Sequence, residues 1–388
     1  MFKKVPFKVF ILGLVSLFND AASEMIYPII PIFLTTVLHA PVAIVGLIDG
    51  IAEGAASLFK FVFGYVSDRM QKRKIFVIAG YGASALSKPI IALATVWPVV
   101  LVAQILNRLG KGLRTSARDA LLLQNTTLHN KGYIFGFHRA LDSAGAVFGP
   151  LLALFFINTL HENLRAVFFF AFIPGLLSIL LLIIFIQDKK QELMQKKIKI
   201  SFAWGKINGR LKLFFLVSII FALGNSTNSF LILRAHDLGL TTTLTILVYV
   251  FYNLTYSLFS TPAGHISDKI GARKVYALGL LIFALVYFLF ASINNSFWIW
   301  LLFPIYGLYI AFTDGVSKAY IAEFITESES GTYFGLYEAG ISVAIFLASF
   351  IGGLLWTIYS PAVTFYYGAL MAILAFVVLV YGKIFRKL

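Results

Sequence analysis

The chain contains no cysteine. Disulfide frameworks and thiolate metal sites are therefore excluded, and the redox compartment leaves no trace. Charge is scarce too. Only 13% of the 388 residues are Asp, Glu, Lys or Arg, against about 25% in an ordinary soluble domain. The six histidines are scattered without metal-ligand spacing. No Gly-rich, phosphate-cradling loop of the ATPase type occurs, so nothing supports an ATP-driven motor. No catalytic constellation appears, and neither an enzyme, a cofactor nor a metal is predicted. What is plentiful is apolar: 60% of residues are hydrophobic, 16% are aromatic, and 39 are Phe. Mean hydropathy is +0.88. A soluble globule, a disordered chain, a collagen and a coiled coil are all excluded, which leaves a polytopic membrane protein. Acids are outnumbered by bases, for a net charge of +15. On a soluble chain that excess would suggest nucleic acid. Here the bases cluster in loops between apolar runs, a pattern suited to anionic lipid headgroups, and nucleic acid is not an expected partner.

A span needs about 20 predominantly apolar residues. Twelve are predicted, at 9–36, 43–66, 75–95, 98–121, 133–157, 166–187, 211–236, 242–264, 275–292, 297–321, 333–357 and 361–384. Lys3, Lys4 and Lys8, then Val9 to Phe18, then Ala21-Ala22-Ser23 mimic a cleavable signal. The apolar run resumes from Ile26 to Val37, so the segment is read as a first span with internal carboxylates. The polar stretch 188–210 separates an N-terminal six-helix bundle (1–187) from a C-terminal one (211–388). Loop bases fall almost wholly on one side: the N-terminus, Arg69 to Lys74, Lys131, the central linker, Lys269 to Lys274, and Lys383, Arg386 and Lys387. By the positive-inside rule both termini are cytoplasmic, in the inner or plasma membrane.

The halves repeat. Gly64, Ser67-Asp68-Arg69 and Arg73-Lys74 follow span 2; Gly264, Ser267-Asp268-Lys269 and Arg273-Lys274 follow span 8, 200 residues later. Gly132-Tyr133-Ile134-Phe135-Gly136 opens span 5, and Gly331-Thr332-Tyr333-Phe334-Gly335 opens span 11, 199 residues later. Two matches at one offset imply parallel halves related by an axis along the membrane normal.

With these residues the chain resembles the major facilitator superfamily of secondary transporters. The 2–3 loop is similar to that family's Gly, Asp and basic-cluster element, with Met70-Gln71-Lys72 standing where a Gly-Arg pair is usual. Arg108 with Gly112 is similar to its span 4 element. Gly145-Ala146-Val147-Phe148-Gly149-Pro150 is similar to its antiporter-associated span 5 element, although Ala153 and Leu154 replace the trailing glycines. The resemblance covers essentially the whole chain. It implies an all-α membrane fold of twelve transmembrane helices in two pseudo-symmetric bundles, with helices 1, 4, 7 and 10 lining a central cavity and 3, 6, 9 and 12 facing lipid. It also implies alternating access. On that picture Gly64, Asp68, Arg69, Arg73, Asp268 and Arg273 form gate loops, in which Asp68 pairs with Arg69 or Arg73. A stop-transfer anchor would need the bases alone.

Ionisable residues inside a bilayer cost at least about 2.5–3.5 kcal/mol each and tend to face a cavity or a partner. Spans 1 to 5 hold Asp20, Glu24, Asp49, Glu53, Asp119 and Asp142, nearly balanced by Lys60, Lys88, Arg108, Lys111, Arg114, Arg118 and Arg139. Spans 7 to 12 hold far fewer. Asp20 lies about 16 Å into span 1, with Glu24 one turn further on the same face. Asp20, Glu24, Glu53 and Asp142 are the candidate proton-coupling acids. A permanent salt bridge from Asp20 or Glu24 to Arg108 is the structural alternative. Asp20, Glu24, Arg108 and Lys111 are candidate substrate contacts, joined from the second half by Asn225, Asn228, Tyr252 and Tyr306, which can orient a ligand without fixed charge. Lys88, followed by Pro89, is expected to snorkel to the outer interface, and Asp314 and Lys318 to pair one turn apart. The expected function is proton-coupled secondary transport of a small organic solute by a monomer, tending to efflux by antiport. Protons are the coupling ion because carboxylates are present and no sodium cage is evident. Proton-symport uptake of an organic anion such as a carboxylate metabolite or siderophore, on the span 4 bases, is the alternative. A non-transporting receptor would have little use for so many interior charges.

Overall fold

The structure, a computed structural model, describes residues 5–70, 73–123, 131–186, 208–325 and 330–382. Among them all regular structure is helical. The first bundle comprises α1 (Phe7–Ile26), α2 (Val42–Met70), α3 (Arg73–Leu93), α4 (Trp97–Leu123), α5 (Lys131–Thr159) and α6 (Leu164–Phe185). The second comprises α7, in two pieces (Gly209–Gly224 and Ser229–Asp237), α8 (Thr242–Ile270), α9 (Ala272–Ser292), α10 (Ile299–Ala322), α11 (Ser330–Ile358) and α12 (Pro361–Tyr381). The chain is a multi-pass membrane protein. Ten of these spans are long and apolar enough to cross a bilayer by length and composition. The other two, α2 and α4, are long enough but carry the densest sets of ionisable residues, Asp49, Glu53 and Lys60 on α2 and Arg108, Lys111, Arg114, Arg118 and Asp119 on α4.

Two spans depart from plain helix. Pro28 and Pro31 lack the N–H groups that would continue α1. The chain crosses that point through short bonds such as Ile29 N to Ile26 O at 3.0 Å, then widens into a π-helical turn at Phe33–Val37. Span 7, expected as one continuous helix over 211–236, is broken at Asn225 to Asn228. Asn, Ser and Thr side chains compete for backbone groups, and four such residues in a row supply enough of them to replace a helical turn. Ser229 N donates to Thr227 Oγ1 at 3.1 Å, and Thr227 N donates to Ser349 Oγ of α11 at 3.1 Å.

The chain divides into two compact units. The first takes residues 1–40, 51–193 and 242–247; the second takes 41–50, 194–241 and 248–388. The first turns of α2 thus belong with the second unit, and those of α8 with the first. Inside unit one, α1 packs on α5 and α6, and α3 packs on α4 and α6. Inside unit two, α7 packs on α11 and α12, and α9 on α10 and α12. Each of these four pairings of the first unit recurs in the second between helices six places later.

Close approach sets these contacts, since lipid is as apolar as a leucine surface and gives helices no hydrophobic reason to associate. α5 lies against α1 through Gly145 and Gly149. A Cβ on Gly145 would meet Leu17 O at 2.5 Å, and one on Gly149 would meet Ala21 O at 2.6 Å. The segment that resembles the antiporter element therefore carries α1 at the turns bearing Asp20 and Glu24.

Candidate transport site

Polar positions on α1 recur at Ser16, Asn19, Asp20 and Ser23, a spacing of three and four that sets them on one helix face. Around this face α3, α4 and α5 build a continuous polar column inside unit one. At its lower end Ser16 Oγ lies 2.9 Å from His138 Nε2 of α5, 3.2 Å from the Tyr81 hydroxyl of α3 and 3.3 Å from Arg118 Nη1, which donates to it from α4. Arg118 also pairs with Asp119 at 3.0 Å and with Asp142 at 3.8 Å. Asp142 further pairs with Arg139, three residues earlier on the same helix, at 3.7 Å.

In the middle stands Arg114, buried in α4. It pairs with Asp20 at 3.9 Å, donates to Asn19 Oδ1 at 3.3 Å and stacks 4.7 Å from the Tyr81 ring centroid. Above it Lys88 Nζ donates to Ser84 O at 2.7 Å and meets Ser84 Oγ at 3.1 Å and Ser23 Oγ at 3.3 Å. To one side Arg108 pairs with Glu53 of α2 at 3.7 Å, and Lys111 is exposed.

Asp20 pairs with Arg114, six residues further along α4 than Arg108, and Arg108 pairs with Glu53. One expectation is corrected. Lys88 does not snorkel outward. Side chains on a helix lean toward its N-terminus. From position 88 of α3 that direction leads away from the nearer helix end and into the oxygens of Ser84 and Ser23, leaving the residue with 0% exposure. Sequence reading gave Arg114 and Lys88 no leading place. The signal available was the polar series Tyr81, Ser84 and Lys88, spaced three and four along α3.

Unit two is organised by hydroxyls and rings. Asn228, at the α7 break, accepts from the Tyr306 hydroxyl at 2.7 Å and donates to the Tyr252 hydroxyl at 3.3 Å. Three of the four second-half candidates are thereby brought together; Asn225 caps the first piece of α7 three residues away. Tyr252, Tyr306, Tyr309, Phe283 and Tyr287 pack ring to ring. Asp49, in the turns of α2 that belong to this unit, accepts from Thr227 Oγ1 at 2.7 Å and from Ser229 Oγ at 2.5 Å. Asp314 and Lys318 pair at 3.9 Å as expected, with Lys318 also 3.3 Å from Glu338 and the Tyr256 hydroxyl donating to Asp314 at 3.0 Å. A cavity of about 190 Å³ between α8 and α10 is lined by Tyr256, Ser260, Ser267, Asp268 and Asp314.

Of the gate residues, the side chains of Asp68 and Arg69, and the surroundings of Gly64, lie outside the described residues. Arg73 donates to Ala120 O at 3.1 Å near the C-terminus of α4. Arg273 does the same at the end of α12, on Leu379 O and, at 3.4 Å, Val380 O. Each guanidinium meets unsatisfied terminal carbonyls at the negative pole of a helix. Among the described residues no group of three or more His, Asp or Glu could hold a metal ion.

A helical membrane protein of two internally equivalent units, with paired charges in one interior and a broken helix among tyrosines in the other, has the build of a secondary transporter. The family model of the Major Facilitator Superfamily matches residues 12–212 and again 213–386. An uncharacterised MFS-type transporter of Methanocaldococcus jannaschii, MJ1317, is 36% identical over 381 residues, covering 96% of this chain and 94% of that protein. The chain belongs to the major facilitator superfamily. Its fold is shared with the crystal structures of the nucleoside transporter NupG (TM-score 0.77, 13% identity, 97% of this chain and 98% of that one) and of a D-xylose–proton symporter (TM-score 0.77, 17% identity, 96% of each).

Proposed function

We propose that this secondary transporter exports a small organic solute in exchange for protons. The pairing of Asp20 with Arg114 carries this reading. A carboxylate and a guanidinium meet deep in α1 and α4, and no other carboxylate pairs with Arg114 among the described residues. Protonating Asp20 would release Arg114, and binding or leaving of a charged or polar solute can drive that exchange. Glu53 and Asp142, each paired with a base, offer the same chemistry, and Glu24 stands one turn beyond Asp20. Support for exchange rather than uptake comes from α5. Its Gly145 and Gly149 hold α1 by direct backbone approach at the turns that carry the acids. The solute contacts are Asp20, Glu24, Arg108 and Lys111 in unit one, and Asn225, Asn228, Tyr252 and Tyr306 in unit two. The 2–3 and 8–9 loops act as gates, with Arg73 and Arg273 fixing the helix ends beside them. The chain acts as a monomer in the cytoplasmic membrane with both termini inside, where its loop bases meet anionic headgroups.

Proteoliposomes loaded with a pH-sensitive dye and placed under an imposed pH gradient test the proposal. They are challenged with ethidium and with a panel of simple carboxylates. Solute and proton moving in opposite directions is the expected result. Movement in the same direction, with a carboxylate as solute and a requirement for Arg108, supports uptake by symport instead. Asp20→Asn is expected to abolish coupling while sparing solute exchange; unchanged coupling removes Asp20 from the mechanism.

A further inference from the structure

We propose that Lys88 is a proton-carrying group of the transport cycle, held equally well as ammonium or as amine because its third partner, the Ser23 hydroxyl of α1, can turn. The inference rests on the proton-driven reading above and adds a base to the acids named there. Lys88 is fully buried, and no carboxylate pairs with it among the described residues. It is not locked in its charged form as Arg114 is by Asp20.

The partners of Nζ divide into two kinds. Ser84 O can only accept. Ser84 Oγ gives its own proton to Asn107 Oδ1 at 2.7 Å, so it too faces Lys88 as an acceptor. Two N–H donations are thereby fixed. Ser23 Oγ, 3.3 Å away, is a rotor: it accepts from an ammonium, or donates to the lone pair of an amine. In either protonation state each of these groups keeps its hydrogen bonds, and no side chain has to move. A buried lysine built only to be charged would need three fixed acceptors or an acid.

Three helices pack against α3 around this site: α1, α4 and α6. From α1 the charged group facing Lys88 is Asp20, and from α4 they are Arg114 and Arg108. The one ionisable residue of α6 is Arg165, which is spent on Ala92 O and Ala94 O at 2.7 Å each. Asp20 lies one turn from Ser23 along α1. A proton leaving Nζ for the Asp20 carboxylate turns ammonium into amine and carboxylate into acid, so the net charge of the column does not change. The same transfer frees Arg114 from its ion pair, which links the proton on Lys88 to the α1–α4 contact.

The experiment follows the proton directly. Protein labelled with 15N-lysine is reconstituted in lipid nanodiscs, and the Nζ resonance of Lys88 is assigned by its loss in Lys88→Arg. That resonance is expected to pass from its ammonium to its amine position within the pH range over which the protein stays folded, and Ser23→Ala to displace the midpoint. An ammonium signal throughout overturns the proposal. In a second arm, liposomes containing Lys88→Met or Lys88→Arg are expected to exchange ethidium without a gradient but to lose gradient-driven accumulation. Wild-type accumulation in Lys88→Met also overturns it. A fixed ammonium in a wild type that does couple protons to solute removes Lys88 alone. A titrating Nζ in a wild type that moves solute without protons removes the proton-driven reading and leaves Lys88 as a proton site.

Discussion

α3 lies on α4 through Gly80, and α9 lies on α10 through Gly279. A Cβ on Gly80 would meet Arg114 Cβ at 2.8 Å, and one on Gly279 would meet Thr313 Cγ2 at 2.5 Å. Both the glycines and their counterparts are 199 residues apart, so one two-helix register is built twice. At the same offset Lys88 stands against Tyr287, Asn107 against Tyr306, and Arg118 against Ser317. Where the first unit places three cations and an amide, the second places four hydroxyls and no charge. The backbone packing therefore does not call for interior charge; one copy carries it and the other does without. In the copy that carries it, each cation has several polar partners, at least one of them on another helix. In the other, aromatic rings pack against one another around the hydroxyls.

The sharpest way to break this comparison is to truncate Arg114 and Thr313 in parallel. Arg114→Ala leaves the half-buried Asp20 beside an empty site and removes the Tyr81 stacking and the Asn19 bond. Losing one partner of a buried pair costs about 3–5 kcal/mol. Thr313→Val removes one hydroxyl that donates within its own helix to Tyr309 O and, at longer range, Ile310 O, and hydrogen bonds in membranes average about 0.6 kcal/mol. Denaturation in detergent is expected to show the Arg114 variant as much the weaker. Equal losses would mean that the Arg114 network contributes no more than a hydroxyl does.

A second pair probes the α1–α5 contact against its counterpart. Gly149 leaves no room for a Cβ, with Ala21 O at 2.6 Å and Met25 N at 2.9 Å from where it would sit. At the 199-residue offset stands Ala348, fully buried, which already has one. Gly149→Ala is expected to cost about 1–3 kcal/mol through overpacking and to impair coupling, because Glu24 Cβ is among the atoms displaced. Ala348→Gly should cost about 1 kcal/mol, the usual penalty for glycine inside a helix. A milder effect at Gly149 than at Ala348 would separate the antiporter-like element from α1.

Much of this architecture was legible in residue order. Hydrophobic runs located twelve spans, because the bilayer fixes how long an apolar helix must be. The repeat at 199–200 residues anticipated the doubled packing. The acids of the first half were legible because charge in a membrane interior is expensive wherever it points. Which base meets which acid was not legible. Arg108, Lys111, Arg114 and Arg118 all lie within three turns of one helix, and only the rotation of α4 against α1 decides that Arg114 meets Asp20. Lys88 escaped because lipid-facing and core-facing lysines look alike until the lean of the side chain and the oxygens beneath it are known. The break in α7 was visible as a run of Asn, Ser and Thr, yet apolar flanks on both sides read as one helix.

The remaining tests concern the second unit, where effects are smaller. Asn228→Ala takes the acceptor from the buried Tyr306 hydroxyl and the donor from Tyr252. A loss of about 1–2 kcal/mol is expected in detergent unfolding, set by the stranded Tyr306 group. Tyr252→Phe removes the longer of the two bonds, 3.3 Å against 2.7 Å for Tyr306. It keeps the ring that packs 5.5 Å from Tyr306. About 0.6 kcal/mol is expected, near the membrane average. Solute transport is the more telling readout. If Asn228 and the two tyrosines orient a ligand, Tyr252→Phe raises the apparent KM of the transported solute without touching its proton stoichiometry, since no acid of unit one is involved. A change in stoichiometry instead would show that the hydroxyls of unit two and the charges of unit one act on the proton together, and the division drawn between the two copies would fail.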